Sequence, residues 1–105
     1  MPAINILPKN LETVLGVLER FVPGTDVRAF GQRVSGSARR HSDLELVVMT
    51  EQPIDAALLA DMKAAFSASS LPFSVVAYDW SALDDRARRD IQDEAVLIRK
   101  AVVQA

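Results

Sequence analysis

The sequence predicts an α/β fold of the α+β kind, a small mixed β-sheet covered by helices, and three observations carry that prediction. Apolar residues recur at helical spacing in three stretches, Leu11 to Val22, Leu58 to Phe66 and Leu83 to Ile91. Three other stretches, Thr25 to Phe30, Asp43 to Met49 and Pro72 to Tyr78, carry the residues and the alternation of strands. The two kinds interleave along the chain, which calls for a sheet whose apolar surface is buried by helices. With 105 residues, half hydrophobic and a quarter charged, there is material for one core, and residues 1–105 are read as a single domain.

In the first helix Leu11, Val14, Leu15, Leu18, Phe21 and Val22 form the packing stripe, with Asn10 as the expected N-cap and Pro23-Gly24 as the stop. The strand Thr25 to Phe30 turns Val27 and Ala29 to one face and Arg28 and Phe30 to the other. Gly31 closes it, because a residue without Cβ lets the backbone turn tightly and approach a ligand. Gln32 to Ser42 reads as a polar, basic loop. Asp43 to Met49 is the best strand of the chain, and its Leu44, Leu46, Val47 and Val48 place it centrally, buried on both faces.

Pro53 fits the first turn of a second helix, whose Leu58, Leu59, Met62, Ala65 and Phe66 face the core. In Pro72 to Tyr78, Phe73, Val75 and Ala77 share one face and Ser74, Val76 and Tyr78 the other. Ser81-Ala82-Leu83-Asp84 has capping-box spacing, and Leu83, Ala87 and Ile91 give the third helix a narrow apolar face. The charges from Asp84 to Glu94 read as its solvated side. Ala95 to Val103 fits either an extended segment or a last helical turn.

Composition excludes several function classes. The net charge of −2 provides no general attraction to nucleic acid, so phosphate recognition must come from the local cluster between Arg28 and His41. The absence of cysteine removes disulfides, thiolate zinc sites and thiol catalysis, and a lone histidine cannot form a multi-histidine site. The start, MPAINILPKN, lacks a basic segment followed by a continuous apolar one, and no window approaches the ~20 apolar residues of a membrane span. A cytoplasmic protein without membrane contact is the expectation.

The chemistry concentrates between Phe30 and Val48. Asp43 and Glu45, spaced i and i+2, point the same way from a strand while Leu44 and Leu46 point into the core. Paired carboxylates opposite a glycine turn that carries Arg33, Arg39, Arg40 and His41 fit a divalent metal and nucleotide between a negative and a positive wall. The competing reading of the same residues is structural, two carboxylates at a strand's exposed end paired with nearby arginines.

Gly31-Gln32, ten intervening residues, then Asp43-Leu44-Glu45 resemble the G-S-x10-D-x-D signature of the polymerase-β-like nucleotidyltransferases, most closely the minimal nucleotidyltransferases. The similarity continues through Val22-Pro23-Gly24, Phe30-Gly31, Arg33, Gly36, Ser42-Asp43-Leu44, Leu71-Pro72-Phe73 and Asp79-Trp80, in the family's order and over nearly the whole chain. The resemblance implies a nucleotidyltransferase palm. It assigns Asp43 and Glu45 to catalysis and Mg2+, and Gly31, Gln32, Arg33, Arg39 and Arg40 to the nucleotide, with ATP as substrate or ligand. It also implies a helical HEPN-domain partner of the toxin–antitoxin kind, leaves self-association open, and makes Val96 to Ile98 extended.

Three positions depart from the family pattern. Gln32 replaces a serine, Glu45 replaces the second aspartate, and Val76 stands where the third metal-binding aspartate is placed, three residues before Asp79-Trp80. Asp79 is no replacement, because its strand parity is opposite to that of Val76. Two readings follow: a catalytically weak or inactive partner protein that binds nucleotide and Mg2+ weakly, and an enzyme that transfers AMP from ATP to a partner's tyrosine hydroxyl.

Overall fold

The structure, a computed structural model, describes residues 4–102. Its elements run α1 (Pro8–Phe21), β1 (Val27–Phe30), α2 (Gln32–Ser35), β2 (Leu44–Val48), α3 (Ala56–Ser67), β3 (Val75–Asp79), a 3-10 turn (Trp80–Ala82), α4 (Asp85–Glu94) and β4 (Val96–Arg99). The four strands form one mixed sheet in the order β3-β2-β1-β4. β1 lies antiparallel to β2 and to β4, and β2 lies parallel to β3. The expected small mixed sheet with helices is therefore present, and β2 is central.

Strand parity divides the sheet as the sequence indicated. Val27, Ala29, Leu44, Leu46, Val48 and Ala77 join Val14 and Leu18 of α1 and Met62 and Phe66 of α3 in one core. Leu44, Leu46, Val47 and Val48 are fully buried, which agrees with a central strand. The opposite face carries Arg28, Phe30, Glu45, Val76 and Tyr78, all partly exposed, with the Phe30 and Tyr78 rings 5.6 Å apart. No helix of the described residues is long and apolar enough to cross a membrane.

The element ends differ from expectation for local reasons. α1 begins at Pro8, whose fixed φ suits a first helical position, so Asn10 lies inside the helix and is buried rather than serving as N-cap. α3 begins after Pro53: the Asp55 side chain accepts the Leu58 N–H at 3.2 Å and is the true cap. Ser81 does not open a capping box, because it belongs to the 3-10 turn; Asp84 caps α4 by accepting the Ala87 N–H at 2.8 Å. β1 starts at Val27 rather than Thr25, and β3 runs from Val75 to Asp79 rather than from Pro72.

Two segments are better ordered than the sequence indicated. The basic loop opens with the one-turn helix α2, stopped by Gly36 at φ +90°. The ambiguous C-terminal stretch is extended as β4, and Val103 lies outside the described residues. The Arg99 guanidinium fixes β4 to the turn after α1 by donating to the carbonyls of Val22, Pro23 and Thr25.

Candidate functional site

The site forms where β1 ends beside the start of β2. Phe30 pairs with Glu45 across the antiparallel ladder, which brings Gly31 against the Glu45 side chain. Gly31 has φ +84°, and a Cβ built on it would overlap Glu45 Oε2 and lie 3.0 Å from Cδ. Glycine is thus required twice, by its backbone angle and by the carboxylate packed on it. Asp43 is exposed just before β2, on the same side as Glu45 by strand parity.

The charge at Glu45 is uncompensated. Burial raises its pKa above the ordinary glutamate range, and the negative charges of Asp43 and Glu94 raise it further. Glu94, the last residue of α4, also accepts the Gly31 N–H at 2.9 Å. Three carboxylates therefore share the neighbourhood of the glycine turn. Glu94 was not singled out in the sequence, because it sits within a run of charges that read as the solvated face of a helix.

The expected positive wall is assembled differently. Arg33 is 6% exposed, and its guanidinium donates to the carbonyls of Ser42 at 2.9 Å, Asn5 at 3.0 Å and Arg40 at 3.3 Å while stacking 4.0 Å over the Phe73 ring. Burial lowers its pKa, and the charge of Asp43 opposes that shift. The expectation of a phosphate-facing Arg33 is not what this geometry displays: the side chain knits the basic loop to the N-terminal segment and to Phe73. Arg33 and Arg40 line a cavity of about 370 Å³ with Lys9, Asn10 and Phe73, and neither Asp43 nor Glu45 lines it. Gln32 and Arg39 are exposed.

The parallel pairing of β2 and β3 sets Val76 directly beside Glu45. The position that the motif reserves for a third carboxylate is thus adjacent to the pair, and it holds an apolar side chain. Asp79 does not compensate. Its carboxylate accepts from the Thr50 hydroxyl, the Ile54 N–H at 2.7 Å, and the Ser81 N–H and hydroxyl at 3.0 and 2.7 Å. Burial raises its pKa, yet these donors together bring it below the ordinary aspartate range. The carboxylate is consumed in joining β3 to the chain after β2.

A sequence relative shows the family. The probable protein adenylyltransferase MntA of Haemophilus influenzae is 36% identical over 97 residues, which are 92% of this chain and 85% of that protein. The chain belongs to the MntA family of minimal nucleotidyltransferases. No family model matches it. Among solved structures, a toxin–antitoxin complex with AMP-PNP superposes with a TM-score of 0.73 at 17% identity, covering 88% of this chain and 74% of that one. The MNT antitoxin complex with tri-AMPylated Shewanella oneidensis HEPN toxin gives 0.67 at 14% identity, covering 89% and 71%. These likenesses show that this MntA-family chain has the nucleotidyltransferase fold.

The carboxylates of Asp43 and Glu45 are hard oxygen donors of the kind that Mg2+ takes, and no cation offsets the burial and like charges acting on Glu45. The fit extends to a single ion completed by nucleotide phosphates and water. Among the described residues, no group of three or more His, Cys, Asp or Glu side chains could hold a metal by itself.

Proposed function

We propose that this chain is a catalytically weak nucleotidyltransferase-fold partner of a HEPN-domain toxin, acting as an antitoxin that binds nucleotide with Mg2+. The observation that carries this reading is Val76 in register beside Glu45, with Asp79 committed to Thr50, Ile54 and Ser81. Asp43 and Glu45 would hold the ion, which when bound neutralises triphosphate charge. Gly31 and Gln32 approach the phosphates, and exposed Arg39 and Arg40 add positive charge from the loop. The AMP-PNP complex and the HEPN complexes among the structural neighbours support the ligand and partner classes.

A second reading is favoured by the 36% identity to a probable protein adenylyltransferase. In it, a partner tyrosine oxygen bonds the α-phosphorus of ATP, the bond to the bridging oxygen breaks, pyrophosphate leaves, and the phenolic proton passes to water. Transfer of label from α-labelled ATP to a co-purified HEPN-domain protein separates the two. The first reading expects transfer only after Val76→Asp, alone or with Glu45→Asp. Robust transfer by the wild type, abolished by Asp43→Ala, overturns it and establishes the second.

A further inference from the structure

We propose that Glu94 is a built-in competitor of the nucleotide, a carboxylate that holds the Gly31 N–H and must withdraw before a phosphate oxygen can take its place. The inference rests on the nucleotide-binding reading above and names how that site is regulated.

The contact lies just beyond the end of the β1–β4 ladder. β1 and β4 pair antiparallel as far as Ala29 and Val96, so the chain leaving β1 at Gly31 and the chain entering β4 from Glu94 at the end of α4 meet beside that last pair. The Gly31 N–H then donates to Glu94 Oε1 at 2.9 Å. A backbone N–H bonded to a carboxylate makes the same donor-to-anion pair that it would make with a phosphate oxygen. Two anions cannot share this one donor. Gly31 is also the glycine packed against Glu45, so the occupied N–H lies at the edge of the carboxylate pair.

Glu94 is poorly placed within its own helix. It ends α4 beside Asp93, and no basic residue occupies the last turn, so it faces the negative end of the helix. A side chain in electrostatic conflict with its own helix, exposed and held by one hydrogen bond, can be displaced without disturbing the core. A rival role for Glu94, as an additional ligand of the ion, predicts the opposite sign of effect on affinity.

The test measures binding of ATP with Mg2+ by calorimetry for wild type and Glu94→Gln, and follows the Gly31 amide by NMR. Glu94→Gln keeps the size of the side chain and an acceptor oxygen but removes the charge that strengthens its bond to the Gly31 N–H; it is expected to bind roughly tenfold tighter. ATP added to the wild type is expected to move the Gly31 amide resonance in the absence of any mutation. Binding by the wild type with Glu94→Gln no tighter, or weaker, overturns the competitor role while leaving the nucleotide reading intact. A Gly31 amide that ATP leaves unmoved overturns it as well. No binding by either protein removes both.

Discussion

Val76 stands directly beside Glu45 in the parallel ladder of β2 and β3, on the sheet face opposite the α1–α3 core. An aspartate at 76 would therefore complete the carboxylate set from an adjacent strand, and it would do so at a half-buried position rather than in the packed core. Without a cation, a further like charge next to Glu45 destabilises. Val76→Asp is expected to lower the melting temperature by a few degrees in chelator and to regain it in Mn2+. A melting curve indifferent to Mn2+, or a wild type that gains as much, would show that position 76 does not face the ion.

Arg33 and Arg39 both occupied the expected nucleotide set, yet they should behave differently on truncation. Arg33→Ala removes three bonds to carbonyls and the stack on Phe73 at a buried position, and is expected to cost about 2–4 kcal/mol. Lysine cannot reproduce the planar fork, so Arg33→Lys should recover little. Arg39→Ala, at an exposed position, should leave stability within about 0.5 kcal/mol and be visible only in nucleotide binding. Denaturant titration of the three variants checks the contrast.

What the sequence made legible was whatever repeats with the period of its element. Val27 and Ala29 against Arg28 and Phe30, or Leu44 and Leu46 against Glu45, follow from alternation alone, and Leu44 and Leu46 face the core as expected. The one-turn helix α2 has too few residues to show a period, and β4 became definite only through pairing with β1. The role of Arg33 was hidden because a loop arginine near carboxylates has the same sequence appearance whether it faces a phosphate or three carbonyls. Glu94 was hidden for a related reason. Its partner is 63 residues away, and the two meet only once β1 and β4 have paired.

Two positive-φ glycines give a controlled comparison. Gly36 has φ +90° with nothing within 4 Å of an added Cβ, so Gly36→Ala should cost only the backbone term, about 1 kcal/mol. Gly31→Ala adds the overlap with Glu45 and should cost more, roughly 2–3 kcal/mol. Glu45→Ala in the Gly31→Ala background should return the difference, a coupling that a double-mutant cycle reads directly. Independent, additive costs would mean that Glu45 swings away freely and is not seated on the turn.

The raised pKa of Glu45 sets the sign of a pH dependence. Burial, then Asp43 and Glu94, make the folded protein hold this proton more tightly than the unfolded chain does. Between the ordinary glutamate pKa, about 4.3, and the raised folded value, the native state binds more protons than the unfolded state, so this residue's contribution to stability falls as pH rises. Above the folded value the penalty for the ionised group is complete, and it persists at neutral pH. Glu45→Gln removes the titration and is expected to stabilise the metal-free protein at pH 7 relative to wild type, with the two converging as pH falls toward 4. Asp79 titrates in the opposite sense: its donors hold it ionised, so its contribution is lost as pH falls through its lowered pKa, and both proteins share that loss. The difference between wild type and Glu45→Gln in urea titrations across this range isolates Glu45. A Glu45→Gln protein that is less stable at pH 7 would mean that the carboxylate is already compensated in the folded state, and the charge argument for a cation beside Asp43 would fall with it.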